Sequence, residues 1–148
     1  MITKELLAND LKKSMKDKNK VKTKVLRMAL SSIKLVEVEK GEPIDHNRLI
    51  ATLQKEVKTR QETLSEAEKA GRPEMVKDMQ QEIRILKDYL PVEMNDAKLE
   101  NLISQIIEEI EANSIKQMGL VMKESISQVA GRATNDRISR IVKKKLLS

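Results

Sequence analysis

The Lys and Arg side chains near the end of the chain have the types and spacing that suit the binding of phosphate groups. Residues 130–148 include six Lys or Arg and one Asp. On a helix drawn at about 100° per residue, the apolar side chains from Ile138 to Leu146 fall on one side, and Arg137, Arg140, Lys143 and Lys144 fall on the other. Guanidinium and ammonium groups that share a solvent face can hold phosphate groups by charge and hydrogen bonds.

This pattern predicts a face that binds nucleic-acid phosphates. The alternative is a docked helix with a solvated outer face, whose cations near the C-terminus also suit the helix dipole. Together with a lysine on the preceding helix and an arginine just upstream, the predicted RNA-binding residues are Lys123, Arg132, Arg137, Arg140, Lys143 and Lys144.

The sequence predicts no catalytic residue, no metal site and no cofactor. His46 is the single histidine, it falls in a predicted turn, and there is no Cys, so neither a zinc site nor an imidazole base for a hydroxyl nucleophile is indicated. A Ser–Lys pair stays open, because both residue types are plentiful. Glu108, Glu109 and Glu111 cluster opposite an apolar stripe, which predicts a solvated face.

Positive charge is concentrated at the two ends of the chain. The formal net charge is +6, and residues 1–40 alone have 11 Lys or Arg against 5 Asp or Glu. Two separate basic blocks favour a polyanionic partner. Tyr89 is the only aromatic residue, which excludes modules that stack unpaired bases on aromatic rings. RNA would therefore be recognised through its phosphates and its folded shape.

Hydropathy predicts a cytoplasmic protein. No run of the sequence approaches the roughly 18 apolar residues of a membrane span, and no N-terminal signal-peptide core is present. Residues 1–24 form a Lys-rich amphipathic pattern that could meet anionic lipid, but they lack Trp and Phe anchors. We therefore expect no membrane partner.

Apolar residues recur at helical spacing along the whole chain, and no alternating strand pattern is present. This predicts an all-α fold, with four longer helices followed by three shorter ones and Gly119 interrupting the sixth helix. Pro91 is the predicted boundary between an N-terminal helical domain, residues 1–91, and a C-terminal three-helix domain, residues 92–148. The predicted N-caps are Thr3, Asp45, Asn95, and either Thr134 or Asn135.

Several short motifs, each weak alone, occur together at characteristic separations along the chain. They are Ala70-Gly71-Arg72, Tyr89-Leu90-Pro91, Gly119 through Met122, and Gly131-Arg132-Ala133. In this order and at this length the chain resembles the YqeY family over essentially its whole sequence.

The resemblance implies a four-helix part followed by a part similar to the tail domain of the B subunit of the tRNA-dependent amidotransferase. Similar domains are appended to some glutaminyl-tRNA synthetases, where they help to hold tRNA and perform no chemistry. The implied partners are tRNA or another structured RNA, and an aminoacyl-tRNA synthetase or an amidotransferase.

The chain departs from the family pattern directly after Gly131-Arg132-Ala133. Thr134, Asn135 and Asp136 stand where the family has an acidic or small residue, a glycine and a basic residue. Asn135 can adopt the left-handed conformation of a glycine. Asp136 places negative charge where a phosphate contact is expected.

Three functions follow from these patterns. The favoured one is a non-catalytic accessory protein that binds tRNA or structured RNA through the basic face of the C-terminal part. The second is a component of glutamine-dependent carbon–nitrogen ligase activity, or a related enzyme, which rests only on shared domain membership. The third is a helical adaptor, for which the eight methionines could provide an adaptable contact surface. The sequence does not determine the oligomeric state.

Overall fold

The computed structural model describes residues 2–148, and within them the fold is all-α, as predicted. These residues form seven α-helices and one short 3-10 helix, with no strand. The helices are α1 (Lys4–Lys16), α2 (Lys20–Lys40), α3 (His46–Lys69), α4 (Pro73–Lys87), α5 (Asp96–Ile110), α6 (Met118–Val129) and α7 (Asn135–Leu147).

Side-chain caps begin four of the helices at predicted positions. In each case an oxygen of the cap accepts a hydrogen bond from the backbone N–H three residues later, which satisfies one of the donors left free at a helix start. Thr134, rather than Asn135, caps α7, and Asn135 becomes the first helical residue. The caps are Thr3, Asp45, Asn95 and Thr134, with donor–acceptor distances of 2.8 to 3.3 Å.

The prediction that Gly119 interrupts the sixth helix is wrong. Gly119 is the second residue of α6, and the irregular stretch precedes it as the 3-10 helix Ile115–Gln117. Ser114 and Gln117 form a capping box there. The Ser114 hydroxyl accepts from the backbone N–H of Lys116 at 3.2 Å, and Gln117 Oε1 accepts from the backbone N–H of Ser114 at 3.2 Å. The break is therefore produced by local capping rather than by the glycine.

The chain divides into two compact units, of which the first ends at Leu90. Helices α1 to α4 form this N-terminal unit around an aliphatic core, and burying each such side chain contributes roughly 1.5–3 kcal/mol. Its largest fully buried side chains are Leu7, Leu26, Ile33, Leu53 and Leu86.

A buried ion network, which we did not predict, also holds the N-terminal unit together. Arg60 of α3 and Glu82 of α4 are each 4% exposed, and Arg60 Nε lies 3.0 Å from Glu82 Oε1. Arg60 Nη1 donates to Glu56 Oε2 at 2.8 Å, and Ser32 of α2 donates to Glu56 Oε1 at 2.5 Å. Three helices are thereby joined through charged groups that satisfy one another.

The second unit, Pro91–Ser148, has a separate aliphatic core. Helices α5, α6 and α7 each bury one apolar stripe in it. The fully or almost fully buried side chains are Leu99, Ile103 and Ile106 of α5, Val121 and Val129 of α6, and Ile138 and Val142 of α7.

Candidate nucleic-acid interface

Helix α7 presents an apolar face to the core of the C-terminal unit and a cationic face to solvent. Ile138 and Val142 are 1% and 0% exposed. Arg140, Lys143 and Lys144 lie on the opposite side and are all exposed. The predicted segregation of apolar and cationic residues on this helix is therefore confirmed for Arg140, Lys143 and Lys144, whereas Arg137 is partly buried.

Among these cations, Lys143 and Lys144 have the fewest contacts with charged or polar groups of the protein. Within residues 2–148, neither ammonium group lies within 4 Å of a carboxylate oxygen, and neither donates a hydrogen bond to the protein. The same holds for Lys123, which is exposed on α6. These three side chains can accordingly meet an anion without first breaking an internal contact.

Arg140 has an acidic neighbour on its own helix. Its Nη2 lies 2.9 Å from Asp136 Oδ2, but the two side chains are 77% and 66% exposed. Ion pairs in such surroundings contribute little, because water screens them and two mobile side chains must be held. Asp136 also lies in the first turn of α7, where a negative charge suits the helix dipole. Asp136 thus has a local structural role and holds Arg140 only weakly.

Arg137 is tied into the fold. Its Nη2 donates to the backbone oxygen of Met94 at 2.9 Å and to Asp96 Oδ1 at 2.7 Å, and its side chain is 28% exposed. These bonds hold the start of α7 against Met94 and the first residue of α5. The structure therefore gives Arg137 a positioning role in the C-terminal unit, whatever else it contacts.

Arg132 closes the C-terminal end of α6. Its Nε donates to the backbone oxygen of Val129 at 2.9 Å, and its Nη2 donates to that of Gln128 at 3.0 Å. A cation at this end of a helix satisfies carbonyl groups that have no partner within the helix. Arg132 remains exposed at the surface of the turn.

In the turn before α7, the residues with left-handed backbone are not the one that the sequence predicted. Ala130 and Gly131 have φ angles of 52° and 83°. Asn135 is helical, so the prediction that it replaces a left-handed glycine is wrong. The chain reverses before Arg132 rather than after Thr134, because α6 ends with a left-handed cap at Ala130.

Other residues with potential chemistry are dispersed over the molecule. Glu108, Glu109 and Glu111 are exposed, in agreement with the predicted solvated face. His46 is the first residue of α3 and is half-buried, rather than part of a turn. In the part of the chain that the structure describes, no group of three or more His, Cys, Asp or Glu could hold a metal ion.

No helix within residues 2–148 combines the length and the apolar character that crossing a membrane requires.

Comparison with known proteins agrees with the resemblance seen in the motifs. The sequence model of the family described as "Yqey-like protein" matches residues 4–146. The chain is also similar to "Altered inheritance of mitochondria protein 41, mitochondrial" of Lachancea thermotolerans, with 33% identity over 107 residues. The match covers 68% of this chain and 57% of that relative, so the chain spans little more than half of the relative's length.

Proposed function

Because this chain belongs to the YqeY family, we propose that it is a non-catalytic accessory protein that binds tRNA or another structured RNA. The observation that carries the proposal is the outer face of α7. Arg140, Lys143 and Lys144 are exposed there, while the other side of the same helix is buried in a core. A rigid helix with free cations is well suited to a sugar–phosphate surface.

The six predicted RNA-binding residues have different roles in this proposal. Arg140, Lys143, Lys144 and Lys123 make phosphate contacts, since they are exposed and weakly held or unpaired. Arg132 and Arg137 use hydrogen bonds to shape the turn and to anchor α7, and the exposed part of Arg132 adds a further phosphate contact. Their spacing along α6, the turn and α7 supports contacts with several phosphates of a folded RNA.

The test is tRNA binding across a salt series by wild type and by the triple variant Arg140→Glu/Lys143→Glu/Lys144→Glu. We expect at least about tenfold weaker binding. The slope of log affinity against log salt should fall by roughly 0.7–0.9 for each phosphate that the variant no longer neutralises.

A matched control reverses three exposed cations of the N-terminal unit, with Lys55→Glu/Lys58→Glu/Lys77→Glu. It changes the net charge by the same amount and should bind tRNA more tightly than the α7 variant. Equal losses of affinity in the two variants would mean that only total charge matters, and unchanged affinity in the α7 variant would contradict the proposal.

A protein-binding adaptor is the second candidate. Ile115 and Leu120 of the C-terminal unit are 40% and 56% exposed, and exposed aliphatic side chains favour helix-to-helix docking. In that case the partner would be an aminoacyl-tRNA synthetase or an amidotransferase. Capture of that partner by the tagged chain should survive nuclease digestion under this alternative and should disappear if RNA mediates it.

The ligase alternative makes a separate prediction. A glutamine-dependent carbon–nitrogen ligase, or a component with activity of its own, would release ammonia from glutamine or hydrolyse ATP. We expect the purified chain to show neither activity above a blank, and sustained turnover would favour the enzyme.

Two further points of the proposal concern location and organisation. We propose a cytoplasmic location, although the name of the Lachancea relative places that protein in mitochondria. Fractionation of the source cells tests this location.

We also propose that the four-helix and three-helix parts are domains that fold independently, which is supported by their separate cores.

A further inference from the structure

The basic block at the start of the chain has no part in the function proposed for α7. In the structure, four of its cations come together at the turn between α1 and α2, around a concavity of about 730 Å³. We call this concavity the turn groove. The residues that line it are Met15, Lys18, Lys20, Thr23, Lys24, Arg27 and Met28.

The charge of the turn groove is not neutralised by the fold. Within residues 2–148, no carboxylate oxygen lies within 4 Å of the charged groups of Lys18, Lys20 or Arg27. The guanidinium of Arg27 instead contacts Met15 Sδ at 3.2 Å. Lys24 reaches a carboxylate, but Glu82 Oε2 is 3.7 Å away, and the other oxygen of Glu82 is already paired with a buried arginine. Most of the positive charge of the groove is therefore not neutralised within the described residues.

This arrangement is unfavourable for the folded chain by itself. Lys20 begins α2, and the first turn of α2 has no acidic residue, so the positive end of the helix dipole meets a positive charge. Lys20 and Lys24 are four residues apart on one helix, which places like charges side by side. Stability alone does not account for these residues, so an anionic ligand is the better explanation.

We propose that the turn groove binds the phosphodiester backbone of the same RNA that α7 contacts, as a second phosphate site. The inference rests on the function proposed above. A concave site lined by cations fits a backbone segment, with the two methionines providing apolar contact for the riboses. A lipid surface fits less well, because the groove has no aromatic side chain to anchor in a bilayer.

The experiment compares tRNA binding by wild type and by the double variant Lys20→Gln/Arg27→Gln, which we call the groove variant, across a salt series. Lys24 is left unchanged because it faces Glu82. We expect several-fold weaker binding, and a salt slope that falls by roughly 0.7–0.9 for each phosphate that the groove no longer neutralises. The control Lys58→Gln/Lys77→Gln removes the same charge from exposed positions outside the groove and should bind more tightly than the groove variant.

A second measurement separates binding from folding. The urea midpoint of Lys20→Gln/Arg27→Gln should equal or exceed that of wild type, since the substitutions relieve charge repulsion and the unfavourable dipole contact. A lower midpoint that accompanies weaker binding would show a structural role and would overturn the inference.

The outcomes also distinguish this inference from the α7 proposal. Wild-type affinity in the groove variant, together with weaker binding by the α7 triple variant, would overturn the turn groove alone. Weaker binding by the groove variant with normal binding by the α7 variant would support the groove and contradict α7. Wild type that does not bind tRNA would overturn both. Reduced binding of the groove variant to phosphatidylserine-containing vesicles, with unchanged tRNA binding, would identify a lipid surface and overturn the inference.

Discussion

Glu37 of α2 is held by two donors that favour its charged form. Lys4 Nζ lies 2.6 Å from Oε1, and the backbone N–H of Ile44 donates to Oε2 at 2.8 Å. The hydrogen bond from Lys4, followed by that from the backbone, lowers the pKa of Glu37 below its ordinary value of 4.5, and desolvation opposes them. The contacts that Glu37 makes therefore join the turn after α2 to the start of α1 most strongly when its carboxylate is ionised.

Acid should weaken this contribution. Because the pKa of Glu37 is lower in the folded chain, its stabilising effect is complete above the unfolded value of 4.5 and is lost as pH falls through the folded value. We expect Glu37→Gln to lower the urea midpoint at about pH 7 and to do so much less at about pH 3. An equal decrease at the two pH values would contradict the assigned cause.

Ser125 offers a second test on a single side chain. Its hydroxyl lies in the core of the C-terminal unit with 0% exposure of the residue, and it has no hydrogen-bond partner. Burying an unpaired polar group costs about 1–3 kcal/mol. We expect Ser125→Ala to raise the free energy of unfolding by about 1 kcal/mol in urea denaturation. Ser127→Ala, at an exposed position of the same helix, is the control and should change it by only a few tenths of a kcal/mol.

The surroundings of Tyr89 change the pKa of its phenol group. Its hydroxyl donates to Asp10 Oδ2 at 2.6 Å, which joins the end of α4 to α1. Burial, and next the hydrogen bond to the Asp10 carboxylate, raise the pKa of Tyr89 well above its ordinary range. The phenol therefore stays neutral and keeps donating throughout the physiological pH range.

At the scale of elements, the Arg60 network joins α3 to α4 through a buried ion pair. Replacing Arg60 alone would leave Glu82 buried, with Lys24 at 3.7 Å as its remaining cation. We expect Arg60→Leu to destabilise the N-terminal unit by about 3–5 kcal/mol, because an uncompensated charge stays in the interior.

Removing the charges of both Arg60 and Glu82 should lower the free energy of unfolding much less than replacing Arg60 alone. The double variant Arg60→Met/Glu82→Leu replaces a buried pair by apolar side chains of similar volume, an exchange that is often neutral. Urea denaturation of the two single variants and the double variant gives the coupling free energy between Arg60 and Glu82. Destabilisations that simply add would show that the two residues act independently.

At the scale of the whole molecule, each unit has an aliphatic core of its own. If the units are domains, cutting the chain between them should leave both folded. Val92 is 88% exposed, so a protease site inserted at Val92-Glu93 would be accessible. We expect the helical circular dichroism signal to be unchanged after cleavage. Disappearance of that signal would contradict independent folding.

Much of the secondary structure was predictable because its causes are local. Apolar spacing, cap residues and glycine or proline stops act within a few residues, which is why the all-α class and the caps Thr3, Asp45 and Asn95 were predicted correctly. The two faces of α7 follow from the same periodicity. Matches of short motifs along the whole chain were enough to indicate the family that the family model confirms.

Packing, in contrast, decided which charges are free. Arg137 pairs with Asp96, 41 residues away, and Arg60 pairs with Glu82, 22 residues away. The position of Arg60 on the apolar stripe, between Val57 and Leu64, was a signal that a charge is buried, but it did not identify the partner. Periodicity places a side chain on a face of its own helix. Only the arrangement of the helices brings a second side chain within bonding distance, and for that reason the turn groove and the anchored Arg137 emerged from the tertiary structure.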